Sequence, residues 1–529
     1  MPIDKNPTIE NIKNVISTCA LIFSVVMIMG LIFSEQTGLA QDVHPILALV
    51  CLWTAVIWLS FVEGGQASLV GLAPVDRTLY EESHTIAAKC CKIAHTGDSL
   101  DRYLLGRQFM VVFIVFTINI SGGPVADAEL WGLPDILITI FLGTGLAMIL
   151  FTTMIGQLNS QVNASHCMLD YLNTYPNYFT LCVAMGIEFS GLVHASYVIQ
   201  MLVAAAAGEE IESNEANKSP LQNLFFFSRC IMSIGVLAFA FTVTLVALFD
   251  GRTTMWESVP PGVAVILFFL LMCVVGLLEG MQIAFFAVAK LRPEDRGESP
   301  WAKRTCALLF RGNGFNLSGF MIGRQLCVVS CMFFIARVTS LDIDPEGGDT
   351  LWGVKPGTQK FLNMGFLGAL ITTIVASIAW QLVASAFPIA FLSNPFTYIF
   401  LRICLFLEAT GICNGAYVIA MIHKHFAGFQ RDEVYIGTAE ERAEKAKRDN
   451  YTNLHLGTGH IVKLPGFQDD APARLKHLLK TDESVRQYLN SALADMKDGK
   501  VDNTDLHLDS DSEGGRGNKA VEETEEVDV

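Results

Sequence analysis

Charge is scarce in this chain of 529 residues: Asp, Glu, Lys and Arg make up 17% of it, where soluble proteins carry about 25%. That shortage excludes a single soluble globular domain. No basic excess exists either, since 36 Lys and Arg face 52 Asp and Glu, which argues against nucleic acid as a partner. The 13 cysteines are odd in number and form no C-x-x-C pair, so neither a zinc knuckle nor a disulfide frame is indicated. There is no phosphate-cradling G-x-x-x-x-G-K-[ST] loop, no G-x-S-x-G elbow and no H-E-x-x-H helix. Nothing marks the chain as an enzyme or as a protein driven by its own ATP hydrolysis. No A-x-A-like cleavage site follows the first apolar block, which reads as a retained helix.

What the chain has is apolar length. Hydrophobic residues reach 52% and the mean hydropathy is +0.43. They fall in blocks long enough to cross a bilayer, which takes about 20 residues per helix. Ten such blocks run at 12–33, 45–72, 103–120, 133–158, 178–207, 223–249, 259–290, 314–339, 360–392 and 396–426. The expected organisation is an all-α integral membrane protein. A cytosolic segment 1–11 precedes a five-helix repeat 12–207, a loop 208–222, a second five-helix repeat 223–426 and an acidic cytosolic tail 427–529. From Gly428 onward 14 basic and 22 acidic residues give the tail half of the formal net charge of −16. Two short helices are expected there, a charged run at 438–449 and an amphipathic or coiled-coil stretch at 473–496 carrying Leu475, Leu478, Val485, Leu489 and Met496. The second would serve docking on the body or homo-oligomerisation. After Gly499 the composition is that of a solvated, unstructured chain.

The two halves repeat. Glu63-Gly64-Gly65-Gln66 recurs as Glu279-Gly280-Met281-Gln282, 216 positions on, and Gly106-Arg107-Gln108 as Gly323-Arg324-Gln325, 217 on. Glu188, Gly191 and Tyr197-Val198-Ile199 recur as Glu408, Gly411 and Tyr417-Val418-Ile419 at an offset of 220, and Gln157-Leu158 is paired with Gln381-Leu382. Three blocks in one order at a near-constant offset mean duplication. An odd number of spans per repeat makes the halves inverted, a plan that places binding sites near the bilayer midplane between the halves. The basic connections strain that topology. Arg77, Lys89, Lys92 and Arg102 follow the second span, and Arg292, Arg296, Lys303, Arg304 and Arg311 follow the seventh. Inversion puts them on opposite sides, whereas both ask for the cytoplasm. The acidic connection 209–219, with its sequon at Asn217, fits the outside.

Glu63 and Gln66 share one helix face, as do Glu279 and Gln282. A carboxylate inside an apolar block is costly unless paired or wetted, so it is a functional candidate by default. Arg107 and Arg324 offer planar five-donor guanidiniums that want carboxylates, and Glu63 and Glu279 are the ones at similar depth. The pairs either shape a site or only lock helices together. Glu188 and Glu408 form a second duplicated acidic pair, for an ion or for a helix contact. Cys327 and Cys331, four apart, read as packing.

The doubled E-G-x-Q and G-R-Q motifs resemble those of the silicon (silicic acid) transporters of diatoms, over about residues 10–426, and Cys167-Met168-Leu169-Asp170 resembles a short segment of some members. The resemblance implies sodium-coupled uptake of orthosilicic acid across the plasma membrane, with Na+ as the coupling ion and no other cofactor. A metal role for the C-M-L-D segment lacks further ligands nearby. Silicic acid is a small uncharged tetraol. A Gln amide both donates and accepts, so Gln66, Gln108, Gln282 and Gln325 could ring it, with Glu63 and Glu279 held by Arg107 and Arg324. At about 1 kcal/mol net per hydrogen bond, affinity would be modest. Rival expectations are another neutral polyol or a weak acid such as borate, proton-coupled or passively facilitated, and a membrane sensor that transports nothing.

Overall fold

The computed structural model of the chain describes residues 7–437, apart from 74, 126–127, 209–218, 257, 290–295, 298, 312–314 and 345–346, together with three strands further on. The chain divides into two units, Met1–Asp432 and Glu433–Val529. The described part of the first unit is helical, and its two halves match element by element. The first half holds α1 (Pro7–Phe33), α2 (Pro45–Leu72), α3 (Thr85–Ala94), α4 (Ser99–Gly122), α5 (Asp135–Gly143), α6 (Leu146–His166), α7 (Met168–Leu172), α8 (Tyr175–Ser190) and α9 (Ala195–Ala207). The second holds α10 (Pro220–Phe249), α11 (Pro261–Ala289), α12 (Pro300–Leu309), α13 (Phe315–Thr339), α14 (Pro356–Asn363), α15 (Phe366–Ala386), α16 (Pro388–Leu392), α17 (Pro395–Thr410) and α18 (Gly415–Ala427).

Seven of these helices are long and apolar enough to cross a membrane. Three bent pairs, α5 with α6, α8 with α9 and α17 with α18, bring the number of spans to as many as ten. The protein is therefore a multi-pass membrane protein. Hydrophobic blocks alone mark these bent pairs as continuous; the chain breaks them by 51°, 66° and 69°. The last two breaks fall at Gly191 and Gly411, whose φ values of 83° and 73° put them in the left-handed region that glycine enters without a Cβ penalty. The connections after α2 and α11 are not plain loops either, since each folds into an amphipathic helix, α3 and α12. Asn173 helps to start α3 by accepting the amides of Ile86 and Ala87. A one-residue antiparallel bridge pins a loop in each half, Thr37 to Pro124 and Thr253 to Leu341.

Burial separates an inner from an outer set. Over their apolar windows α4 and α13 are 72% and 67% buried, whereas α2, α10 and α11 are 33% buried. Outer positions such as Ile57, Phe225, Ile231 and Ile266 are exposed and apolar, as lipid-facing residues should be. The inner helices α4 and α13 touch each other.

Each half grips the broken span of the other. At the α17–α18 break, Ser17 of α1 donates to the Ile412 carbonyl at 2.5 Å and accepts the Gly415 amide at 2.8 Å, while Lys13 donates to the Ala409 carbonyl at 2.9 Å. At the α8–α9 break, Ser233 of α10 donates to the Leu192 carbonyl at 2.6 Å and accepts the Ala195 amide at 2.9 Å, and Arg229 donates to the Phe189 carbonyl at 3.1 Å. The serines satisfy backbone groups that a helix break strands in an apolar medium, and the cations sit at helix C-termini, where the dipole favours them.

The second unit holds the short helix α19 (Glu433–Ile436) and an antiparallel sheet of β1 (Tyr451–Leu456), β2 (His460–Pro465) and β3 (Leu508–Asp509), with Tyr451 opposite Pro465. Strands stand in a tail from which only helices were expected. The sequence reason is a β-prone alternation, Tyr-Thr-Asn-Leu-His-Leu, followed by the turn formers Gly457 and Gly459. The helices expected at 438–449 and 473–496 lie outside the described residues, and so does Asn217.

Candidate solute-binding cavity

The G-R-Q glycines set the site. A Cβ on Gly106 would collide with the carbonyl oxygen of Ala184 on α8, and one on Gly323 with that of Cys404 on α17. Only glycine lets α4 and α13 come this close to the broken spans. The E-G-x-Q glycines play a different part. Gly64 leaves a notch filled by the Tyr171 ring, and Gly280 one filled by the Phe391 ring.

The motif residues pair within each half. Arg107 Nη2 lies 2.6 Å from Glu63 Oε2, and Arg107 Nη1 donates to Gln108 Oε1 at 2.8 Å. Arg324 Nη1 lies 3.3 Å from Glu279 Oε1, and Arg324 Nη2 donates to Gln325 Oε1 at 2.6 Å. All six side chains are at most 5% exposed. Two charges of each sign make the arrangement neutral overall, and each buried carboxylate has the partner that burial demands.

Further glutamines complete the glutamates. Gln161 donates to Glu63 Oε2 at 3.0 Å and Gln381 to Glu279 Oε2 at 2.8 Å. The partner of Gln381 is thus Gln161, at an offset of 220, and not Gln157 as the dipeptide match had it. Gln157 instead donates to Glu63 Oε1 at 3.3 Å from a π-helical stretch, Thr152–Leu158. The second half repeats that stretch as Thr372–Ile378, with Ser377 in the place of Gln157. Wide π turns recur at functional sites because they push side chains out of α register. This displacement is why sequence spacing did not single out Gln157.

The two sets line one narrow cavity. Glu63, Arg107, Gln108 and Gln157 line it from the first half, and Glu279, Gln282, Arg324 and Gln325 from the second. Val111, Val112 and Val115 of α4 face Val328, Val329 and Met332 of α13 around the rest. Of the glutamines expected from the sequence, Gln108, Gln282 and Gln325 are in the lining, while Gln66 is half-buried outside it. Glu188 and Glu408 are also outside, at the breaks of the last span of each half; Glu188 Oε1 is 3.6 Å from His194 Nε2. Among the described residues, the buried Nε atoms of Arg107 and Arg324 and the Oε1 of Gln157 have no hydrogen-bond partner in the protein. Such groups are expensive to leave unpaired, and they suit a guest with both donors and acceptors.

The C-M-L-D segment is elsewhere, with Cys167 joining α6 to α7 and the other three residues opening α7. Among the described residues no group of three His, Cys, Asp or Glu side chains gathers as a metal site, there or in the cavity.

A multi-pass helical protein with a neutral, polar cavity built jointly by two repeated halves is a membrane transporter in its architecture. The chain belongs to the silicon transporter family, whose family model matches residues 5–524. No curated protein and no solved structure matches it.

Proposed function

We propose that this chain takes up orthosilicic acid as a sodium-coupled secondary transporter, by alternating access of two inverted halves around the central cavity. The observation that carries the reading is the neutral cavity in which both glutamates are held by arginines while glutamine amides, two guanidinium Nε groups and a free carbonyl remain for a guest. An anion or a cation gains little where the fixed charges cancel. A tetraol gains a hydrogen bond at each hydroxyl, because hydroxyls donate and accept. Gln108, Gln157, Gln282 and Gln325 hold the solute, and Glu63 with Arg107 and Glu279 with Arg324 shape the site. Sodium coupling rests on family resemblance, and Glu188 and Glu408 at the bent spans are its candidate carboxylates. The spans lie in the plasma membrane with the acidic tail in the cytosol.

The test is uptake of silicic acid, traced with radiolabelled germanic acid, into proteoliposomes with and without an inward sodium gradient. Concentrative uptake that requires sodium supports the proposal. Equilibration without concentration makes the protein a facilitator and removes the coupling, and no uptake by folded protein above empty vesicles removes the solute.

A further inference from the structure

The C-M-L-D segment, which the cavity does not use, is the receptor for the stretch that ends the membrane unit. The Asp432 carboxylate accepts the amides of Met168 and Leu169, both at 2.9 Å, and the Asp432 amide donates to the His166 carbonyl at 3.2 Å. Asp170 answers: its Oδ2 accepts the Gln430 amide at 2.6 Å, and its Oδ1 lies 3.1 Å from His84 Nε2. Phe429 packs at a tilt against Tyr171 and His423, with ring centroids 5.7 and 5.3 Å away. Residues 429–432 thus form a strap across α7, and Asp432 is 6% exposed.

The strap leads to the cavity in two steps. Tyr171, on α7, is the ring that fills the Gly64 notch, and its hydroxyl donates to the Ser60 carbonyl at 2.8 Å. Gly64 is adjacent to Glu63. The second half shows that the polar set is not needed for the notch itself. Phe391 fills the Gly280 notch from α16, yet Ala386, Phe387 and Ala390 stand where the first half has His166, Cys167 and Asp170. What the first half adds is the receptor for the strap.

We propose that Asp432 is a positioning residue for transport: it holds α7 and Tyr171 against the Glu63 segment, and so joins the start of the C-terminal tail to one wall of the cavity. The second unit begins at the next residue, so binding or modification there bears first on this carboxylate. The silicic acid reading enters only through the transport readout.

The experiment compares the full-length wild-type chain with Asp432→Ala, Asp432→Glu and Gln430→Pro, the last removing the amide donated to Asp170 while leaving Asp432 in place. In proteoliposomes Asp432→Ala and Gln430→Pro are expected to shift the half-saturating germanic acid concentration by at least about threefold, and Asp432→Glu to stay within about twofold. In hydrogen exchange, which needs no solute, the first two should speed exchange about tenfold in peptides covering 57–66 as well as 168–172, with 273–282 unchanged. Exchange altered at 168–172 alone, or an unchanged half-saturation with only less folded protein, overturns the proposal. If the wild type takes up no solute, the silicic acid reading fails while hydrogen exchange still decides the strap.

Discussion

Gln161 and Gln381, 220 positions apart, do the same thing: each gives its side-chain amide to the Oε2 of its own half's motif glutamate, at 3.0 and 2.8 Å. The glutamates are therefore held from two directions, by an arginine on the neighbouring inner helix and by a glutamine one turn past a π-helical stretch. Replacing either glutamine by alanine removes a hydrogen bond to a charged group, worth about 1.5–3 kcal/mol. Gln161→Ala and Gln381→Ala should each cut uptake at low solute by about tenfold or more, and by similar factors. Uptake assays on the two variants side by side check this, and a large effect in one alone would break the equivalence.

Gln157 is the place where the halves differ, since Ser377 stands at the matching position. Gln157→Ser should raise the half-saturating concentration by about tenfold with little loss of folded protein, because a shorter hydroxyl cannot span to both Glu63 and a guest. An unchanged half-saturation would remove Gln157 from the binding set.

The Glu63–Arg107 pair is buried on both sides. Removing one partner strands the other, so Glu63→Gln or Arg107→Gln should each lower stability by about 3–5 kcal/mol. The double variant should recover part of that loss. Thermal unfolding in detergent measures all three, and a double variant as unstable as the sum of the singles would contradict the pairing.

Gly106→Ala and Gly323→Ala put a methyl group into a backbone carbonyl of the adjacent bent span. Both should abolish transport and lower the unfolding temperature, whereas Gly186→Ala, where a Cβ meets nothing within 4 Å, should do neither. Yield on size exclusion and uptake together test the contrast.

Cys90, on the amphipathic helix α3, is buried, and burial raises its thiol to about 12 because a thiolate there would lose its hydration. The thiolate is the reactive form, so Cys90 should resist maleimide in folded protein at neutral pH and label only on unfolding. Mass spectrometry of labelled peptides reads this directly.

Much of this was legible in the sequence. Hydrophobic blocks marked the spans, and the doubled E-G-x-Q and G-R-Q motifs hold seven of the eight polar residues that line the cavity. The Glu–Arg pairing followed from charge at equal depth. Three features did not follow. The helix breaks at Gly191 and Gly411 lie inside unbroken apolar runs, and hydropathy does not report φ. Gln157 enters the cavity through a π-helical offset, which moves it off the face that α-helical spacing assigns. Gln66 shares a motif and a face with Glu63, yet it stays outside the cavity while Gln282 is within, because a repeat in sequence does not oblige the halves to be equal in conformation.

The reciprocal grip of Ser17 on the Gly411 break and Ser233 on the Gly191 break leaves each half incomplete alone. A lone half would carry a hook without its eye, and a cavity with a single wall. Two copies supply everything that is missing, by exchanging their first helices. The chain is thus built like a domain-swapped homodimer in one polypeptide, whose halves are not equal: one has Gln157 and a seat for the strap, the other has Ser377 and no such seat.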